Sequence, residues 1–315
     1  MESTIWVLAD DRPGNVSQAL GVAEALGRPF TIKTIRYNAW GKLHNALRAA
    51  SRRGLERWSR KAIETKPPPD LVIAAGRRTA PLARWLKRRY GSRLVQMMDP
   101  GWPGRERFDL IAVPRHDALV KAPNVIRTEG SCHRATPELM AAEAARWQDR
   151  LPDLPRPWTL VAVGGSTAHK TFGAADARAL IEGCRRLDGS LLVVSSRRTG
   201  SAAEAALAEG LGESAWLHPW RERGDSPYLA LLALADQVVV TGDSMSMCCE
   251  ACANGGPVFI SAPLHLTEPK HALLHQSLYE AGYARPLDGD RSPWRHESLN
   301  ASKMVAEEIL RRGLI

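Results

Sequence analysis

The stretch TGDSMSMCCEACANGG at residues 241–256 holds three of the chain's five cysteines among hydroxyls, one carboxylate and glycines. Cys248, Cys249 and Cys252 include a CxxC, but a zinc site needs four ligands, normally drawn from two loops or from a loop and a helix. The only other neighbouring Cys and His, Cys132 and His133, lie in the other half of the chain. The cysteines therefore read as small buried packing residues. VVVT ahead of them reads as a buried strand, Asp243 and Ser244 as helix caps, and SMCCEACANGG as a helix with a glycine stop. What remains is Ser244, Ser246 and Glu250 at a helix start. Hydroxyls and free amides there accept a phosphate, and a carboxylate one turn on takes both hydroxyls of a ribose. Glu250 reads equally as an ordinary glutamate near a helix N-terminus.

Two further turns suit the same ligand. In TLVAVGGSTAHK a strand runs into Gly164, Gly165, Ser166 and Thr167, where amides can converge on an anion without side chains in the way. The turn is neither a GxxxxGK[ST] nor a GxGxxG. In LLVVSSRRTG a strand delivers Ser196, Arg197 and Arg198 to the same sheet edge, and arginine's planar fork favours phosphate oxygens. The first half offers acid–base candidates after its strands. Asp10, Asp11 and Asn15 follow the first, Arg77 and Arg78 follow another, and Arg115, His116 and Asp117 follow a third. Asp11, or failing that His116 or Asp117, is the expected proton acceptor from an attacking hydroxyl. Capping or salt bridging is the alternative for each.

These residues need elements to position them. The chain has 315 residues and is 44% hydrophobic, enough for two domains of ordinary size. Strand-like and helix-like runs alternate, which predicts an α/β fold with parallel sheets covered on both faces. Strands are expected at 4–9, 30–35, 70–75, 93–98, 109–113 and 124–128, then at 159–163, 190–195, 215–218, 237–241 and 257–261. Prolines 152, 155 and 157 suggest a linker. The expected division is an acceptor-side Rossmann-like domain at 1–150, a Pro-rich linker at 151–158, a nucleotide-sugar-binding domain at 159–297 and a C-terminal helix at 298–315. In open parallel sheets ligands bind beyond the carboxyl ends of the strands, where the candidates above fall.

Charge adds a surface. The net charge is +9, and residues 40–66 hold eight Lys or Arg against two Glu. Leu43, Leu47, Ala50, Trp58 and Ala62 fall at near-helical spacing, with Arg48, Arg52, Arg53 and Arg57 between them. One basic amphipathic helix over 43–63 is the expectation, lying either on its own domain or on an anionic membrane surface. No nucleic-acid motif accompanies the charge, and no nucleic-acid partner is expected. No apolar run is long enough to span a bilayer, and MESTIWVLADDRPG lacks the pattern of a secretory signal. The expected location is cytoplasmic, at the inner face of a membrane if the basic helix docks there.

The GGS turn, and a late strand followed by a hydroxyl-rich turn, Glu and PVFISAP, resemble the nucleotide-sugar-binding domain of GT-B glycosyltransferases. The lipid-linked N-acetylglucosamine transferase of peptidoglycan synthesis is the nearest comparison. That resemblance implies diphosphate contacts at Gly164, Gly165, Ser166, Ser244 and Ser246, with Glu250 holding ribose. WVLADDRPGNVSQALGVAEALG, VIAAGRRTAP, FDLIAVPRHD, VAVGGSTAHK, SSRRTG, GDSPYLALLALAD and TGDSMSMCCEA together resemble the elongated-mitochondria (mitochondrial fission factor) family. ADDRPGN stands where the family has DGRAGN. Plant members are implicated in recruiting a dynamin-related protein in mitochondrial fission. The expectation is two Rossmann-like domains facing across a cleft and a metal-independent glycosyltransferase with no bound cofactor. Its co-substrate would be a nucleoside-diphosphate sugar, expected to be UDP-linked, and its acceptor would be lipid-linked. A non-catalytic membrane-surface adaptor and a nucleotide-sugar epimerase are the alternatives.

Overall fold

A computed structural model describes residues 3–118, 121–220 and 225–315. The chain divides into two compact units, 1–134 with 300–315, and 135–299.

The first unit is a six-stranded parallel sheet of β1 (Ile5–Ala9), β2 (Phe30–Thr34), β3 (Leu71–Ala75), β4 (Arg93–Met97), β5 (Leu110–Pro114) and β6 (Val125–Thr128). Its order is β2-β1-β3-β4-β5-β6. Every residue of β1, β3 and β5 is buried, as strands with helices on both faces must be, which is why they read as unbroken apolar runs rather than alternating ones. Helices α1 (Pro13–Ala25) and α11 (Ala301–Arg311) cover one face through Ala19, Val22, Val305 and Ile309. The other face carries α4 (Ala80–Tyr90), whose Leu82 and Leu86 pack under Trp6 and Leu8. Gly91 ends α4 with φ near 78°, a left-handed stop natural to glycine.

The second unit repeats the layering. Its strands are β7 (Trp158–Ala162), β8 (Ser190–Val194), β9 (Ala215–His218), β10 (Gln237–Thr241), β11 (Val258–Ser261) and β12 (Arg285–Pro286), in the order β12-β11-β10-β7-β8-β9. Helices α6 (Ala174–Cys184) and α7 (Ser201–Gly210) cover one face. The other face holds α8 (Tyr228–Leu234), α9 (Met245–Ala251) and α10 (Pro269–Glu280), with α5 (Pro137–Trp147) packed against α8.

Three expectations change. The boundary falls at 134/135 rather than in the proline segment, because α5 packs on α8 and so belongs to the second unit. The final helix returns to the first unit, where α11 packs on α1 and the Ser302 hydroxyl donates to the His133 carbonyl at 2.7 Å. The third change concerns residues 43–63, which do not form one helix. They hold two short ones, α2 (Asn45–Arg48) and α3 (Arg57–Ala62), separated by left-handed residues at Ala49 and Gly54. An antiparallel bridge between Tyr37 and Leu55 draws this break against the core.

Candidate functional site

In the second unit the chain leaves β7 toward β8 on one side and later returns to β10 on the other. The turns after β7 and β10 therefore meet at a topological switch point, the place where open parallel sheets bind ligands. The structure brings three of the expected segments together there, with contacts that the sequence did not suggest.

The amides of the glycine turn are already in use. Gly164 N donates to Thr241 Oγ1 at 2.7 Å, and Gly165 N donates to Asp243 Oδ2 at 2.9 Å. Ser166 N donates to the Arg198 carbonyl at 3.0 Å, and Thr167 N to the Lys170 carbonyl at 2.8 Å. The Ser166 hydroxyl accepts from Phe172 N at 3.0 Å, and the Ser196 hydroxyl donates to the Gly164 carbonyl. Gly164, Gly165, Ser166 and Ser196 thus knit the turn to its neighbours rather than presenting an open anion cradle. The glycines serve close approach: a Cβ on Gly165, at φ 137°, would lie 2.1 Å from the Arg198 carbonyl oxygen.

Asp243 takes the anion's place. Besides accepting from Gly165, its carboxylate pairs with Arg198 Nη1 at 2.7 Å, with only 6% of its side chain exposed. Sequence alone assigned both Asp243 and Ser244 to capping α9. Ser244 is the N-cap residue, and its side chain makes no capping bond.

The start of α9 is open. The first amide to reach back into the turn is that of Cys248, which donates to the Ser244 carbonyl, so the amides of Met245, Ser246 and Met247 precede the helical ladder. The hydroxyls of Ser244 and Ser246 form no hydrogen bonds among the described residues, and Arg197 is exposed. Further along α9, Glu250 is half-buried. Burial pushes its pKa up to about 7, opposed by the neighbouring Tyr228 hydroxyl. Cys248, Cys249 and Cys252 are buried, as expected of packing residues, and burial raises the Cys248 and Cys252 thiols well above the usual thiol range. Among the described residues no cluster of His, Cys, Asp or Glu could hold a metal ion.

One group near this point was missed from sequence. His271, in the first turn of α10, is 8% exposed and its Nδ1 has no hydrogen-bond partner among the described residues. Burial lowers its pKa against the opposing charges of Glu268 and Asp243. Glu268 in turn accepts from the Thr167 hydroxyl at 2.6 Å. The only sequence signal was their place just after a strand, in TEPKHA.

In the first unit the switch point lies between β1 and β3. Asp10 is 8% exposed and borders a cavity of about 370 Å³ with Asp11 and Arg134. Burial raises the Asp10 pKa, opposed by the Arg12 amide, the Asn15 side chain and Arg78, while the charge of Asp11 adds to the rise. Asn15 Nδ2 lies 3.3 Å from Asp10 Oδ2. Asp11, the expected base, is instead an exposed carboxylate paired with Arg78. Arg77 is exposed and its carbonyl accepts from Asn45 at 2.9 Å.

The other base candidates are not brought here. His116 and Asp117 follow β5, with β3 and β4 between them and β1, which at a typical strand spacing is roughly 14 Å. The His116 side chain is 1% exposed, with Nε2 4.0 Å from Asp117 Oδ1. Arg115 pairs with Glu129 at 2.5 Å.

The basic segment divides likewise. Arg48 is 1% exposed, donates to the Arg78 carbonyl at 3.0 Å and stacks on Tyr37, so it is a core residue and not a surface one. Arg52 pairs with Glu64 and stacks on Trp85. Arg53, Arg57 and Trp58 remain exposed, beside exposed Trp40 and Leu47. No helix of the described residues is long and apolar enough to cross a membrane.

Among solved structures, the chain is similar to MurG of Acinetobacter baumannii, with TM-score 0.50 and 13% identity over 99% of this chain and 92% of that one. It is also similar to Arabidopsis thaliana UGT89C1 complexed with UDP-L-rhamnose, with TM-score 0.53 and 11% identity over 100% and 92%. These likenesses establish a GT-B fold. By sequence it is 29% identical to the uncharacterized protein RP120 of Rickettsia prowazekii over 97% of both chains. It is 28% identical to the mitochondrial fission protein ELM1 of Arabidopsis thaliana over 83% of this chain and 68% of that protein. The model of the mitochondrial fission ELM1 family matches residues 13–313, and the chain belongs to that family.

Proposed function

We propose that the second unit binds a nucleoside-diphosphate sugar at the start of α9 and that the protein is a GT-B-type glycosyltransferase. The observation that carries this reading is the switch point between β7 and β10, where open helix-start amides, two unbonded serine hydroxyls and Arg197 lie next to a part-buried Arg–Asp pair. Fold neighbours include a UDP-GlcNAc 2-epimerase from Neisseria meningitidis bound to UDP-GlcNAc and UGT89C1 complexed with UDP-L-rhamnose, which supports a UDP-linked donor.

In this reading the diphosphate takes the α9 amides with Ser244 and Ser246, and Arg197 faces its outer oxygens. Glu250 accepts from the ribose hydroxyls, which its ionised form does best. As the acceptor oxygen attacks the anomeric carbon, the sugar–phosphate bond breaks and charge grows on the leaving diphosphate. Preoriented amides and arginine stabilise that charge. Within the first unit, Asp10 rather than Asp11 has the burial-raised proton affinity that a base for a hydroxyl proton needs. A lipid-linked acceptor fits the exposed Trp40, Leu47 and Trp58 set among Arg53 and Arg57, which suit an anionic membrane surface.

The Asp243 carboxylate favours a second reading. An anion position already filled from within is what an adaptor that kept the fold and lost turnover would show. Isothermal titration with UDP and UDP-sugars, followed by product identification, separates the two. The enzyme reading expects saturable UDP binding lost in Glu250→Ala and transfer of the sugar. The adaptor reading expects no nucleotide binding and vesicle binding that Arg53→Glu with Arg57→Glu removes.

A further inference from the structure

A cavity of about 670 Å³ in the second unit begins beside the switch point at Thr241, Gly242 and Asp243, and none of Ser244, Ser246, Arg197 and Glu250 borders it. It is a groove rather than a bowl. Asp176, Leu180 and Gly183 line it at the i, i+4, i+7 spacing of one face of α6, and Arg186 continues the line just beyond the helix end. At 1.5 Å per residue, the run from Asp176 to Arg186 is about 15 Å long. The opposite wall comes from the edge of the sheet, where β12 has only two residues and leaves room.

The walls are apolar along the middle and charged at the end. Leu180, Ile260, Leu266 and Leu287 supply the hydrocarbon surface. Gly183 keeps the groove open, since a Cβ there would already stand 3.1 Å from Leu287. At the far end Arg186 and Arg291 both line the cavity and neither forms an ion pair among the described residues. Arg291 Nη2 donates to the Leu287 carbonyl at 3.2 Å, and its buried Nε has no partner among the described residues. Of the carboxylates at that end, Glu182 is held by Arg185 at 3.0 Å, which leaves Asp288. Two cations against one carboxylate leave a single positive charge in excess. At the other end His265 Nε2 lies 2.7 Å from Asp176 Oδ1.

We infer that this groove binds a long-chain alkyl carboxylate. The tail lies along α6 over Leu180 and Leu287, and the head meets the guanidinium forks of Arg186 and Arg291. Length selects a chain over a disc, apolar walls select hydrocarbon, and the single excess charge selects a monoanion, which arginine binds through paired hydrogen bonds. The site does not depend on the glycosyltransferase reading.

The test is calorimetric titration of the full chain with dodecanoate below its micellar concentration, with dodecanol, acetate and UDP as comparisons. Saturable dodecanoate binding is expected, at least tenfold tighter than dodecanol, with none for acetate and no displacement by UDP. Arg186→Ala with Arg291→Ala, both near the surface, should weaken dodecanoate at least tenfold and leave dodecanol unchanged. Gly183→Phe, checked for a native unfolding transition, should remove both. No saturable dodecanoate binding, equal binding of dodecanol, indifference to the arginine pair, or competition by UDP would each overturn the assignment.

Discussion

The two sheets close their switch points with the same device and expose it differently. In the first unit Arg78 pairs with Asp11, and in the second Arg198 pairs with Asp243. The Asp11 side chain is 60% exposed while that of Asp243 is 6% exposed. An exposed carboxylate can swing away from its arginine at little cost, because water replaces the pair. A carboxylate that also accepts from Gly165 N is part of the turn's structure, and any ligand anion must displace it or lie beside it. The first switch point is therefore built to open and the second to be held.

The largest effect should come from backbone approach. Gly165→Ala puts a Cβ against the Arg198 backbone at a φ of 137°, whereas Gly76→Ala, at φ 72°, meets the movable side-chain amide of Asn15. Urea unfolding should show a loss of about 3–4 kcal/mol for the former and about 1–2 kcal/mol for the latter. Equal losses would mean the two turns are equally rigid.

The carboxylates come next. Asp243→Ala should cost about 2–3 kcal/mol, below the range for breaking a fully buried pair because Arg198 is partly exposed, and Asp11→Ala at most about 1 kcal/mol. Inorganic diphosphate or UDP should restore part of the Asp243→Ala loss in thermal unfolding and none of the Asp11→Ala loss.

Glu250 gives a pH signature. Its folded pKa, about 7, lies above the ordinary glutamate value of 4.5, so the folded state holds the proton more tightly than the unfolded chain. Its contribution is full below about pH 4.5 and is lost as pH rises through about 7. Glu250→Gln should therefore gain about 2 kcal/mol relative to the parent at pH 8 and nothing at pH 4, read by urea unfolding. UDP binding, which uses the ionised carboxylate, should tighten in the parent from pH 6 to pH 8 and be flat in Glu250→Gln.

The smallest expected effect is at the surface. Arg53→Glu with Arg57→Glu should weaken binding to anionic vesicles by tenfold or more, at about 1 kcal/mol per basic residue, and leave stability within about 0.5 kcal/mol. Arg48→Glu, by contrast, should fail to fold stably, since that side chain is core.

Most of the scaffold was legible in the sequence because buried parallel strands are written as apolar runs. The eleven expected strands match β1 to β11 within a residue or so. β12 was invisible, since Arg-Pro carries no strand pattern and pairs only with its neighbour β11. The helix expected over 43–63 failed because amphipathic spacing cannot register the left-handed turns at Ala49 and Gly54. The site was half legible. Strand-end position found Gly164, Arg198, Ser246 and Asp10, but hydrogen-bond ownership is a three-dimensional property. Gly165 and Asp243 are 78 positions apart, and no local spacing reveals that one carboxylate fills the other's turn. The same applies to Asp10 and Asp11, adjacent in sequence and opposite in burial.

A structure of the protein determined with UDP tests the central claim most directly. The diphosphate should lie on the amides of Met245, Ser246 and Met247 and the ribose hydroxyls on Glu250. UDP bound elsewhere in the second unit, with the α9 start unoccupied and Asp243 undisturbed, would contradict it.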